Sequence, residues 1–331
     1  MQFTDRQLES EARRLYTKLK HVKWSMDECR VYAPMTLEIN ALKKEKDAII
    51  LAHSYQTPDI IYGVADFVGD SYGLSIEATK VKAKTIVFCS VHFMAETAKI
   101  LNPSKEVLVP RIAGCSLASS ITKEDVLNLK KNHPGVPVVC YVNTSAQVKA
   151  VSDVCVTSAN VMKIIEKIDS DEIIFIPDKL MAKNIQAFTK KKIIAWDGVC
   201  IVHEKFSPEN VDQVREMYPG VKVLAHTECS PAVVRKVDMA GGTTDMINYL
   251  NKSTAKKFML ATECGMVDRM NVEMSGKKFV GACSLCPYMK EIQMKDILNV
   301  LKSPTKEQII ILSQSDLIGA SKSLKRMLEL S

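Results

Sequence analysis

The chain has 331 residues, 47% of them hydrophobic and 25% charged, the balance of a globular protein long enough for two or three domains. Its net charge of +7 comes from scattered lysines such as Lys43-Lys44, Lys130-Lys131 and Lys190–Lys192; without interleaved aromatic residues they argue against nucleic-acid binding and give weak support to a small anionic substrate. No apolar run approaches the roughly 18 residues of a bilayer-spanning helix, and the ten cysteines, with no export signal beside them, are expected to be thiols, metal ligands or buried small hydrophobes in a cytoplasmic protein rather than a disulfide framework.

The first predicted element is an amphipathic helix that starts at a Thr4-x-x-Gln7 capping box and places Leu8, Ala12, Leu15, Tyr16, Leu19 and Val22 on one face. Asp5, Glu9 and Glu11 interrupt any apolar centre, so the segment reads as structure rather than as a targeting signal. Eight short apolar runs follow: Ala48–Ala52, Thr85–Cys89, Glu106–Val109, Val138–Val142, Ile173–Ile176, Ile193–Ala195, Val221–Ala225 and Lys257–Ala261. Helical segments of about ten to fifteen residues separate them, which predicts βαβ units with parallel sheets. His133-Pro-Gly-Val-Pro137 and Tyr218-Pro-Gly220 supply turns before strands, and Lys302-Ser-Pro304 divides the tail helices predicted at 292–301, 305–315 and 318–329.

In parallel α/β units, sites form beyond the carboxyl ends of strands. Here those ends carry His53-Ser-Tyr55, Ser90-Val-His92, Asn143-Thr-Ser145, Asp178-Lys179, Asp197-Gly-Val-Cys200-Ile-Val-His203, His226-Thr-Glu228-Cys229 and Thr262-Glu-Cys264. Such a concentration of titratable groups predicts a central cavity. A cysteine rhythm divides the strands: Cys115, Cys200 and Cys286 are 85 and then 86 positions apart, the first two just beyond an apolar run. The expectation is three pseudo-symmetric three-layer α/β domains with short parallel sheets around one active site, each offering one thiolate. Their boundaries are placed at 1–104 plus 288–331, 105–190 and 191–287, with the tail helices returning to the first.

Cys283-x-x-Cys286 alone is compatible with a zinc site, an iron–sulfur ligand pair or a redox dithiol. The chain has no second close pair to complete a four-cysteine zinc site. Three thiolates from three loops would instead leave one corner of a [4Fe–4S] cluster without a protein ligand, an arrangement suited to Lewis-acid dehydration. Cys29, Cys89, Cys140 and Cys155 read as buried hydrophobes, and Cys229 and Cys264 as structural residues near the cavity. His53, His203 and His226 read as site residues, with Glu228 two positions after His226 on extended chain forming an acid–base pair with it. Two further readings stay open at this level: a zinc-dependent hydrolase with Cys and His ligands and Glu228 as base, and an iron–sulfur redox sensor using Cys283 and Cys286.

The combination of Leu51-Ala-His53-Ser-Tyr55-Gln56, Ala65-Asp-Phe-Val-Gly-Asp70-Ser71, Phe93-Met-Ala-Glu96, Tyr141-Val-Asn143-Thr-Ser145, Thr157-Ser158-Ala-Asn160, Cys200-x-x-His203, His226-x-Glu228-Cys229 and Cys286-Pro-Tyr-Met289 closely resembles the quinolinate synthase family, in order, from about residue 45 to the last helix. The resemblance implies an enzyme of de novo NAD biosynthesis that condenses iminoaspartate with dihydroxyacetone phosphate, losing phosphate and two waters. It also implies three pseudo-symmetric α/β domains around a [4Fe–4S] cluster held by Cys115, Cys200 and Cys286. On the same basis Tyr55, His226 and Glu228 form the proton-transfer set. His53, Ser71, Ser158 and Thr243 hold the carboxylate and phosphate ends of the substrates, and Tyr141, Asn143 and His203 contact intermediates. An aspartate oxidase or dehydrogenase is the implied source of iminoaspartate. The chain departs from many members at Ser54, where Asn is frequent, and at Gly242, where Ser is frequent.

Overall fold

The computed structural model describes residues 1–331. Twelve strands form three four-stranded parallel sheets, with helices between successive strands and no closed barrel. The first sheet contains β1 (Ala48–His53), β2 (Phe67–Gly69), β3 (Thr85–Cys89) and β4 (Glu106–Leu108) in the order β2-β1-β3-β4. The second contains β5 (Val138–Tyr141), β6 (Val154–Val156), β7 (Glu172–Ile176) and β8 (Lys192–Ala195) in the order β6-β5-β7-β8. The third contains β9 (Lys222–His226), β10 (Met239–Gly241), β11 (Lys257–Ala261) and β12 (Lys278–Phe279) in the order β10-β9-β11-β12. The same path is therefore traced three times: an inner strand, an edge, a second inner strand, the opposite edge.

The inner strands are near-continuous runs of buried apolar residues, as expected where helices cover both faces of a parallel sheet. All eight predicted runs are strands. The four strands missing from the prediction are β2, β6, β10 and β12, each two or three residues long. Runs that short carry no alternation to detect, and β2 and β10 end in glycine.

A repeated aspartate fixes the first edge of each sheet. Asp66, Asp153 and Asp238, 87 and 85 positions apart, directly precede β2, β6 and β10. Their carboxylates accept the backbone N–H of Ile50 at 2.8 Å, Val138 at 2.7 Å and Val223 at 2.9 Å. Their own backbone N–H groups donate to the carbonyls of those same three residues. Each aspartate also meets a cation: Lys43, Lys130, and Lys222 with Arg215. This two-way bond sets the register of each edge strand without relying on its few side chains.

The chain falls into two compact units. One comprises Met1–Ala113, Cys264–Phe279 and Leu285–Ile310; the other comprises Gly114–Glu263, Val280–Ser284 and Ile311–Ser331. In the first, Ile50, Ala52, Val87, Leu108, Ile297 and Val300 share a core, and the capped N-terminal helix Asp5–Leu19 packs on Met26–Glu45. In the second, Val211, Val223, Ala225, Cys229 and Met259 form a core cluster. The tail differs from expectation. Helix Met294–Lys302 packs on Met26–Glu45 and β3, as predicted for a return to the first sheet. Helix Gln314–Leu330, however, packs on Ala146–Ala150 and β6, beside the second sheet. Between them, the predicted helix at 305–315 is a single turn, Lys306–Gln308, after which Ile309 bridges Leu108 and backbone bonds continue along β4. No helix is long and apolar enough to cross a membrane.

Candidate active site

Each sheet presents two side chains where its first inner strand ends. These are His53 and Tyr55 after β1, Tyr141 and Asn143 after β5, and His226 and Glu228 after β9. In each pair the spacing is two residues, but the chain is not extended there as expected for His226 and Glu228: it turns, with Gln56 N–H donating to His53 O and Cys229 N–H to His226 O, each at 2.9 Å. His53, Tyr55, Ser71 and Cys286 belong to the first unit. Cys115, Tyr141, Asn143, Ser158, Cys200, His203, His226, Glu228 and Thr243 belong to the second.

In the second unit the structure joins four of these residues around Glu228, which is 3% exposed. The Tyr141 hydroxyl donates to Glu228 Oε1 at 2.6 Å, and His203 Nδ1 lies 2.9 Å from Oε2. His226 Nδ1 is 3.6 Å from Oε1, and its ring stacks on that of His203 with centroids 4.5 Å apart. His203 Nδ1 also lies 3.3 Å from Cys200 Sγ, while Nε2 reaches Thr262 Oγ1 at 2.9 Å. A carboxylate can only accept, so the network places a proton on His203 Nδ1. Burial alone would raise the Glu228 pKa; the charges of His226 and His203 and the bonds from His203 and Tyr141 outweigh it and hold the carboxyl well below the usual range.

The cysteine loops follow the fourth strands. Ser116 stitches the Cys115 loop to the Cys200 loop, donating to Val199 O at 3.1 Å and accepting from Ile201 N–H at 3.3 Å. Trp196 Nε1 donates to Ser120 O at 2.9 Å. Gly198 lies so close to Pro177 O and Ser120 Oγ that a Cβ there would collide with both, which explains the glycine in Trp196-Asp-Gly-Val-Cys200. Cys115, Cys200 and Cys286 are thiols, not disulfide-bonded, with partial exposure, whereas the thiols of Cys29, Cys89, Cys140, Cys155 and Cys229 are fully buried. Cys264 and Cys283 are disulfide-bonded, so the expectation of thiols throughout fails at those two positions. Cys115, Cys200 and Cys286 each offer a partly exposed thiol after a fourth strand, a soft donor suited in chemistry to a soft metal. The metal-ligating atoms of Cys200, His203 and Glu228 also lie within 4.8 Å of one another, a spacing that can hold an ion.

The predicted anion-binding residues lie at the turns after the second strands. Ser71 and Thr243 are first residues of helices Ser71–Lys80 and Thr243–Lys252, and Ser158 lies in the turn after β6. A Cβ at Gly242 would sit 2.5 Å from Ser158 Oγ, so the absent side chain lets these two turns approach. In the first unit the His53 and Tyr55 rings meet edge to face at 4.5 Å, and the loop is pinned by Gln56 to Met289 O at 3.0 Å and by Lys290 to Tyr55 O. Three polar residues of this region were not singled out as site residues. Thr262 and Asp178 were visible as strand-end polar groups; Asn184, mid-helix, carries no sequence signal.

The family described as "Quinolinate synthetase A protein" matches residues 37–329. The chain belongs to this family. It is 48% identical over 301 residues to "Quinolinate synthase" of Sinorhizobium fredii, covering 91% of this chain and 84% of the relative. It is 43% identical over 330 residues to that of Caulobacter vibrioides, covering 98% and 89%. With that of Xylella fastidiosa it shares 48% over 288 residues, 87% of this chain and 84% of the other. Membership of the quinolinate synthetase A family makes the chain an enzyme, and the likeness spans all three sheets.

Proposed function

We propose that the chain condenses iminoaspartate with dihydroxyacetone phosphate to quinolinate, releasing phosphate and two waters, as a step of de novo NAD biosynthesis in the cytoplasm. The observation that carries this reading is the buried Glu228 carboxylate, bonded by Tyr141 and His203 and flanked by His226. Moving a proton between adjacent carbons of a ketose phosphate needs a desolvated base with an acid beside it. Glu228 supplies the base once substrate takes the place of the donors that hold its carboxylate ionised, and His226 and Tyr55 supply acid partners. His53, Ser71, Ser158 and Thr243 bind the carboxylate and phosphate ends through hydroxyl, imidazole and helix-start N–H groups. Tyr141, Asn143 and His203 orient the condensed intermediate.

Cys115, Cys200 and Cys286 would hold a [4Fe–4S] cluster, a reading supported by their partly exposed thiols outside any disulfide. Such a cluster, with one iron lacking a protein ligand, supplies a Lewis acid for the loss of water. A reaction that oxidises aspartate, catalysed by an oxidase or dehydrogenase, must supply the imine. The zinc-hydrolase reading is disfavoured by the Cys200–His203–Glu228 group itself. There Glu228 would have to be ligand and base at once, and the proton on His203 Nδ1 occupies the atom facing the other two. The redox-sensor reading leaves the Glu228 network without a purpose.

The test is anaerobic assay of purified protein with both substrates. Quinolinate is expected from the wild type, with a loss of about 10²- to 10⁴-fold in Glu228→Gln, the range for removing a general base. Absence of quinolinate from iron-loaded wild type, or full activity in Glu228→Gln, overturns the proposal; zinc without labile sulfide in active protein would favour the hydrolase.

A further inference from the structure

The 2.9 Å approach of His203 to Glu228 has no sheet ladder behind it. His203 follows β8, an edge of the second sheet, whereas Glu228 follows β9, an inner strand of the third. Helix Lys179–Gln186 spans the gap. At its start, Lys179 N–H donates to Gly198 O at 2.8 Å and Asp178 bridges Gly198, two residues before Cys200. Asp178 Oδ1 caps the same turn through Met181 N–H at 2.8 Å. In the helix's second turn, the Asn184 amide donates both of its hydrogens to the carbonyls on either side of Glu228: Thr227 O at 2.8 Å and Cys229 O at 2.8 Å. Only an NH₂ group can face two carbonyls, so the amide orientation is determined by its partners. Asn184 is 7% exposed and Cys229 fully buried, so water cannot readily replace these bonds.

The arrangement recurs. Arg269 lies 85 positions after Asn184, in helix Cys264–Glu273, which follows the inner strand β11 as Lys179–Gln186 follows β7. Its Nη1 donates at 2.7 Å to Ser54 Oγ, the residue between His53 and Tyr55, as Thr227 lies between His226 and Glu228. In both places a helix after the second inner strand of one sheet clamps the loop after the first inner strand of another. At each clamped loop the residue after the strand end is held while its neighbours carry the chemistry.

We propose that Asn184 is a positioning residue for Glu228, and that helix Lys179–Gln186 sets the spacing between the Cys200–His203 loop and the Glu228 loop. The inference rests on the reading of Glu228 as the catalytic base. Because Asn184 touches backbone alone, its removal should displace Glu228 without altering any group that binds substrate. A displacement of about 1 Å at a reacting group can cost on the order of 10²-fold.

Asn184→Ala and the isosteric Asn184→Asp, whose carboxylate cannot donate to either carbonyl, test this by kinetics and by amide hydrogen exchange. Both variants should lower kcat about 10- to 100-fold while KM for dihydroxyacetone phosphate stays within about twofold. Exchange should accelerate in the 226–230 segment and stay at the wild-type rate in β5 and β7. Unchanged kcat beside an active wild type, a KM rise equal to the kcat loss, acceleration across the whole molecule, or failure of both variants to fold would each overturn the positioning role. If the wild type itself makes no quinolinate, the functional reading fails. The exchange pattern still decides the clamp: local opening at 226–230 supports it, and unaltered exchange there overturns it.

Discussion

At the scale of single residues, the molecule separates side chains that do chemistry from side chains that hold backbone, and acid titration distinguishes them. Asp238 is of the second kind. Burial acts to raise its pKa, but Lys222, the Val223 N–H and Arg215 together lower it below the ordinary value of 3.8. A carboxylate whose folded pKa is depressed stabilises the fold above its unfolded value, and that contribution disappears as pH falls through the folded value. Thermal unfolding should therefore show a falling midpoint below about pH 3.8 in the wild type and a shallower fall in Asp238→Asn, with the two curves converging at the acid end. Parallel curves would mean that Asp238 contributes equally in both charge states. Candidate chemical residues are more legible in the sequence than the holding ones. His226 and Glu228 stand out because a titratable pair at a strand end has few structural duties. Asn184 does not, because its role depends on two carbonyls more than forty positions away in sequence.

At the scale of elements, length decided what was legible. The inner strands, four to six residues of mostly buried apolar side chains, were all found; the edge strands β2, β6 and β10, three residues each, were not. Their pairing is specified by the aspartates beside them, a long-range bond that periodicity cannot register. The tail shows the same limit. Helix Gln314–Leu330 was legible as a helix, but its amphipathic face does not name the partner that covers it. The partner is Ala146–Ala150, and Gly319 lies against its last residue, Ala150. A Cβ at Gly319 would lie 2.5 Å from Ala150 O and 2.9 Å from Ala150 Cβ. Alanine in a helix interior is ordinarily favoured over glycine by about 1 kcal/mol. Here the added methyl must push against backbone, at a typical overpacking cost of about 1–3 kcal/mol. Gly319→Ala should thus lower stability in chemical denaturation despite its better propensity; a stabilised variant would show that the two helices separate freely at this contact.

At the scale of the whole molecule, three copies of one sheet path carry different residues at the same stations. The first-strand loops hold His and Tyr, Tyr and Asn, His and Glu; the second-strand turns hold Ser71, Ser158 and Thr243; the fourth-strand loops all hold cysteine. The backbone support of those cysteine loops is repeated too. His92 N–H donates to Ala113 O and Lys179 N–H to Gly198 O, each at 2.8 Å and each two positions before a cysteine, while Glu263 bridges Ser284 two positions before Cys286. The repeat diversifies its first-strand residues yet keeps one of three cysteines at each fourth station. If they ligate one cluster, the loss of any one is equivalent to the loss of any other, because a cluster missing a second protein ligand is exposed to solvent and disassembles. Anaerobically reconstituted Cys115→Ala, Cys200→Ala and Cys286→Ala should each lack the visible absorbance and the iron and sulfide of the wild type. Cys229→Ala, buried in the core cluster of its unit, and Cys283→Ala should retain all three. Iron kept at wild-type stoichiometry in any of the first three would exclude that residue as a ligand, and iron lost equally from Cys229→Ala would show that the assay reads folding rather than ligation.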